Sequence, residues 1–148
     1  MSSHTDPVAK VRIVLVADGD TRALLSRKRA DGKPNHGKFE MFGGHLEPGE
    51  LPLQALLREL EEEETTGTLA KLVEHAGPQA RTAVVDEAVH HLFEVELAAT
   101  DCAELRHDPK ESMGIARIPT TELAAGEHWD DLTWRTQRIF EAFGLARN

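Results

Sequence analysis

Three glutamates, Glu59, Glu62 and Glu63, stand at i, i+3 and i+4 within the stretch Leu51 to Glu64. On a helix that spacing places them on one face. The stretch does read as a helix. At about 100° per residue, Leu53, Leu56, Leu57 and Leu60 gather on a separate apolar stripe. Pro52 suits the first turn, where its missing N–H costs nothing. Ala55, one turn before Glu59, leaves room for something to approach the acidic face. Like charges one turn apart repel by roughly a few tenths of a kcal/mol per pair. Glu61 to Glu64 also approach a helix C-terminus, where the macrodipole is already negative. A hard divalent cation resolves this conflict, because Mg²⁺ takes carboxylate oxygens, keeps several waters and bridges to substrate phosphates. A solvated acidic face is the alternative, and the helix alone does not choose between them.

The neighbouring residues favour the metal. Gly43-Gly44 ends the segment Phe39 to Phe42, which reads as a short strand, and permits a tight turn and close backbone approach. Arg58 lies beside the acidic face, within reach of a carboxylate such as Glu50.

Gly44, Glu50, Arg58-Glu59, Leu60 and Glu62-Glu63 stand in the order and spacing of G-x5-E-x7-R-E-U-x-E-E-x-G-U, with U aliphatic. The segment thus resembles the Nudix box of the Nudix hydrolases. It departs at the end, with Thr65 for the Gly and Thr66 for the last aliphatic residue; Gly67 comes two positions late. That puts the helix end in question, since the Gly serves as a left-handed cap.

The resemblance implies an α/β/α sandwich with a mixed sheet between helices. It also implies hydrolysis of a nucleoside diphosphate linked to another moiety, by metal-activated water attack on phosphorus. Glu59, Glu62 and Glu63 would bind Mg²⁺ or Mn²⁺, with backbone from Gly44. Glu50 and Arg58 would be an orienting pair, and Gly43 with Gly44 would approach the diphosphate. A further glutamate outside the box would act as base or extra ligand. Glu111, in the loop before the strand Met113 to Ile118, is the candidate, and Glu47 is the next. Arg27 and Arg29 follow a strand that resembles the one beside the substrate, so either could pair with phosphate. Phe39, Phe42 and Trp129 could stack on a base, although core packing suits both Phe better. A Nudix-fold domain that senses a nucleotide without cleaving it is the alternative function, and a plain acidic interaction domain is a third.

The elements that must position these residues are legible in outline. Residues 1–9 are polar and read as a flexible N-terminus, and 10–148 read as a single domain. Val11 to Ala17 and Ala23 to Arg27 read as hairpin strands around Asp18-Gly19-Asp20. Leu69 to Val73, Val89 to Leu97 and Met113 to Ile118 read as further strands, with a last helix from Asp131 to Leu145. His90 and His91, adjacent on a strand, point to opposite faces, which disfavours a two-histidine metal site.

Composition limits the partners. Lys and Arg number 17 against 26 Asp and Glu, a net charge of −9. That disfavours a nucleic acid polymer or an anionic membrane surface, but not a small phosphorylated substrate carried with a metal. The one cysteine, Cys102, excludes an intramolecular disulfide and a Cys-based zinc site. No signal peptide or membrane-length apolar run is seen, so the cytoplasm is the expected compartment. Association into a homodimer stays open.

Overall fold

The computed structural model describes residues 5–145. Strands β1 (Val8–Ala17) and β2 (Asp20–Lys28) form an antiparallel hairpin. They pair only where Ile13–Ala17 faces Asp20–Leu24, and then diverge. The gap is filled by β3 (Phe39–Glu40) on β2 and β4 (Phe42–His45) on β1. The expected strand from Phe39 to Phe42 is therefore two strands. They break at the buried Met41 and run on to His45.

After a helical excursion come β5 (Ala80–Val85), β6 (Ala88–Ala98) and β7 (Ser112–Pro119). The β6 strand lies parallel to β1 from Val8 to Val16; every other pairing is antiparallel. The result is a mixed seven-stranded sheet.

Helices cover both faces. Alternation along β1 turns Ala9, Val11, Ile13 and Leu15 toward α1 (Pro52–Glu63) and α2 (Thr68–His75), where they pack with Leu56, Leu60, Leu69 and Val73. On the opposite face Leu25, Met41 and Leu92 pack with Leu123 of α3 (Thr120–Ala124) and with Ile139 and Phe140 of α4 (Trp134–Phe143). Burying each large side chain contributes about 1.5–3 kcal/mol. Two such cores clamp the sheet that carries Gly43 and Gly44. The fold is the expected α/β/α sandwich with a mixed sheet.

Three expectations are corrected. Leu69 to Val73 is helical, not a strand: Leu69, Ala70 and Val73 all turn toward the core, a helical spacing. Order in the N-terminal segment begins before residue 10, because Val8 and Ala9 are fully buried in β1; residues 1–4 lie outside the described ones. The last helix begins at Trp134, with the Thr133 side chain accepting the Thr136 N–H as its cap. Among the described residues no helix is long and apolar enough to cross a membrane.

Candidate functional site

The acidic helix α1 starts at Pro52, and Gln54 Oε1 accepts the Leu51 N–H at 2.9 Å. Its end does not use a left-handed cap at Thr65. Glu64 is extended (φ −124°, ψ 114°) and forms a bridge with His107. The Thr65 N–H donates to Arg106 O at 2.8 Å, and the Asp108 N–H donates to Glu63 O at 3.2 Å. The Glu64 carboxylate is wholly buried and accepts the N–H groups of Arg106 (2.9 Å), Thr66 (3.1 Å) and Leu69 (3.2 Å), with the Thr66 hydroxyl at 2.6 Å. Burial pushes this carboxyl up, but those donors outweigh it and hold it below the ordinary range. A side chain thus closes the turn that glycine would otherwise make, and it fastens the 106–108 segment to the end of α1.

Arg58 organises the box. Its Nε and Nη2 grip Glu50 at 2.8 and 3.0 Å, and Nη2 also donates to His45 O at 3.0 Å. The Nη1 group donates to Glu59 Oε1 at 3.1 Å and lies 3.5 Å from Glu62 Oε1. The hydrogen bonds from Arg58 hold the Glu50 carboxyl low. Glu63 takes a different partner, accepting the Gly43 N–H at 3.2 Å.

On the acidic face, burial and neighbouring carboxylates disfavour the ionised forms. Burial first, and Glu62 second, push the Glu59 carboxyl up. Burial pushes Glu63 up to about 8, against the pull of Lys10. Both glycines are required by space. Gly43 has φ +122°, and a Cβ there would overlap the Ala9 carbonyl oxygen. A Cβ on Gly44 would lie 2.6 Å from the Glu59 carboxylate carbon.

A cleft of about 350 Å³ opens at this point. Gly43, Gly44, Glu47, Arg58 and Glu59 line it together with Lys10, Lys28, Glu40, His45 and Arg135. Burial pushes the Glu40 carboxyl up, but Lys10, Lys28 and Arg135 together bring it below the ordinary range. Arg135 also lines a second cavity of about 240 Å³ with Val85, Asp86, His90, Trp134 and Arg138. The Trp134 side of that cavity is open, the residue being 60% exposed. His90 is buried with its Nδ1 unpartnered.

Burial first, then Arg135 and Lys10, push the His90 imidazole down to about 4 from its usual 6.5. The folded state then binds fewer protons than the unfolded chain between those values, so stability rises with pH across that window. The contribution is complete above pH 6.5 and is lost as pH falls toward about 4. Urea titrations should therefore show the gap between wild type and His90→Gln narrowing from about pH 7 to about pH 5, by at most about 1 kcal/mol per unit. A gap that stays constant would sink this assignment.

Of the residues singled out from the sequence, Glu50, Arg58, Glu59, Glu62 and Glu63 are brought together with Gly43 and Gly44. Glu47 lines the cleft and lies 3.8 Å from Arg58. Arg27 and Arg29 are turned away from it. Arg27 donates to Gly37 O and lies over Phe39, while Arg29 reaches Pro109 O and Asp31. Lys28, between them, lines the cleft. Glu111 is exposed in the turn before β7, its N–H on Asp108 O at 2.9 Å, and lies outside the cleft lining. Phe42 is core, and Phe39 and Trp129 pack against the second core. Lys10, Glu40 and Arg135 were not foreseen; they reach the site through strand pairing and the last helix, with no local motif to mark them.

Fold and site define an α/β/α sandwich with a glutamate-rich helix beside a bipolar cleft. The NUDIX domain model matches residues 7–136, and the chain belongs to that family. No curated protein sequence matches. Among solved structures, the chain is similar to the bifunctional NMN adenylyltransferase/ADP ribose pyrophosphatase of Francisella tularensis, complexed with AMP and a Mn ion, at TM-score 0.66 and 15% identity. The match covers 95% of this chain but only 41% of that longer one. The NUDIX domain of Shewanella oneidensis NrtR, complexed with ADP ribose, aligns at TM-score 0.62 and 12% identity, covering 95% of this chain and 86% of that one. An Ap4A hydrolase of Caenorhabditis elegans aligns at TM-score 0.58 and 14% identity, covering 95% and 96%. At these identities the likeness concerns the fold.

Proposed function

We propose that this Nudix domain is a Mg²⁺- or Mn²⁺-dependent hydrolase of the diphosphate linkage in a small nucleotide. One observation carries the reading: Glu59 of the acidic helix and a set of cations, Lys10, Lys28, Arg58 and Arg135, line a single cleft. A diphosphate needs both, cations for its oxygens and carboxylates for a divalent ion.

The donor chemistry fits such an ion. Glu59, Glu62 and Glu63 offer hard oxygens, and burial disfavours ionised Glu59 and Glu63, a cost that a bound cation would offset. Among the described residues no three acidic or imidazole groups converge on one point. Glu59 and Glu62 lie toward Arg58, and Glu63 toward Gly43. Loading therefore requires local rotations. The Glu62 side chain is 55% exposed and its contact with Arg58 is long, so its rotation costs little.

When bound, the divalent ion neutralises phosphate oxygens and acidifies a water. The Glu50–Arg58 pair keeps the acidic helix in register with β4. Lys28 and Arg135, which line the same cleft, take the phosphates, the role expected of Arg27 and Arg29. The nucleoside occupies the cavity beyond Arg135, beside the exposed Trp134 ring, and Glu111 is the candidate base.

The test is a panel of nucleotide sugars, nucleoside triphosphates and dinucleoside polyphosphates, assayed for phosphate or nucleoside monophosphate release. Turnover should require Mg²⁺ or Mn²⁺ and stop with EDTA. Tight binding of one member with no turnover of any would replace the enzyme with a nucleotide sensor.

A further inference from the structure

Lys10 stands out as a lysine that is only 4% exposed yet lines the cleft. Its position in β1 lies directly opposite Gly43 in β4, where the bare glycine lets the two backbones approach: a Cβ there would lie 2.8 Å from the Lys10 Cα. The Nζ donates to Met41 O and Gly43 O, both at 3.1 Å. An ammonium has three donors, so one is left for the cleft. The Gly43 peptide then links two charges: its carbonyl is held by Lys10 and its N–H by Glu63 at 3.2 Å.

A fixed cation at this place acts in two opposed ways. It attracts phosphate oxygens entering the cleft, and it repels any divalent cation that the carboxylates of α1 collect. We propose that Lys10 is a phosphate-binding residue of the cleft and that the same charge limits how tightly the acidic helix holds a divalent ion. This deepens the hydrolase reading and rests on the same cleft. It assigns substrate contact to a β1 lysine outside the acidic helix, and it makes metal affinity and phosphate affinity trade against each other at one residue.

Neither arm of the test needs turnover. Mg²⁺ binding to the substrate-free protein is measured by calorimetry for wild type, Lys10→Gln and Lys10→Arg. Removing a unit charge several ångströms from a divalent ion should tighten Mg²⁺ about five- to tenfold in Lys10→Gln. Binding of α,β-methylene-ADP, a diphosphate that the enzyme cannot hydrolyse at that link, is then measured in EDTA. It should weaken about five- to tenfold in Lys10→Gln. Lys10→Arg, which keeps the charge, should stay within about twofold of wild type in both.

The glutamine retains an N–H for the two carbonyls, and thermal melts confirm that it folds. Should it not fold, Lys10→Arg alone decides through salt: its nucleotide binding in EDTA should weaken with ionic strength as steeply as wild type's. Opposite signs in the two arms support the proposal. Equal or same-sign changes, or a salt-insensitive Lys10→Arg, overturn it. Failure of the hydrolase reading would show separately, as a protein that binds both probes as described and turns over nothing.

Discussion

Glu62→Gln should melt above wild type in EDTA and below it in Mg²⁺. Glu62 is a principal cause, after burial, of the raised Glu59 carboxyl, so without metal its charge opposes the fold. Its side chain is 55% exposed, and solvent screens much of that repulsion. Its 3.5 Å contact with Arg58 offsets part of the rest. The gain in EDTA should therefore be small, about 0.3 kcal/mol, at the lower end for like charges one turn apart. In Mg²⁺ the wild type gains RT ln(1 + [L]/Kd), about 2.7 kcal/mol at a hundredfold excess over Kd. The variant, short of one carboxylate, should gain much less, and its activity should fall by orders of magnitude. Melts of both proteins with EDTA and with Mg²⁺, beside an activity assay, decide the matter. An equal Mg²⁺ shift and equal turnover would reduce the acidic face to a solvated surface.

This conflict was legible in the sequence because it is local. The i, i+3, i+4 spacing of Glu59, Glu62 and Glu63 fixes a shared face once the leucine stripe fixes the helix, and Glu50 lies 8 residues before Arg58, just ahead of the helix. The cations that share the cleft were not legible. Lys10 enters by pairing with a strand more than thirty residues away, and Arg135 enters from the last helix. Within its own segment, Lys10 reads as a polar residue before a strand. Arg27 and Arg29 alternate with Lys28, so one slip in facing exchanges the residue that meets the cleft.

The strand expected at Leu69 to Val73 failed for a related reason. Five residues do not separate period 2 from period 3.6, and the deciding contact is the Glu64 carboxylate on the Leu69 N–H in the first turn of α2. The departure from the box at Thr65 and Thr66 has its counterpart there. Thr66 and Glu64 bond to each other, and the αL glycine, Gly67, stands just before α2 instead of after α1. Strand β5 gave little signal because it is a mostly exposed edge strand with one buried side chain.

Glu111→Gln should lower kcat by roughly 10²–10⁴-fold while KM changes little, if Glu111 is the base of the proposed reaction. Glu111 is exposed, so its placement depends on what holds its loop. The Asp108 carbonyl accepts the N–H groups of both Glu111 and Ser112 at 2.9 Å, and the Asp108 N–H reaches the Glu63 carbonyl. Two residues earlier, the Arg106 N–H ends on the buried Glu64 carboxylate. The loop is thus fastened at two points to the end of the helix that carries Glu59, Glu62 and Glu63. The exposed glutamine substitution should leave the melting temperature within about two degrees, since surface changes are worth about 0.5 kcal/mol or less. Lost turnover in a folded variant that still binds Mg²⁺ as wild type would mark a base. Lost turnover with weakened Mg²⁺ would instead make Glu111 a fourth carboxylate for the metal. Wild-type turnover would return it to the surface and move the search to Glu47, which already lines the cleft.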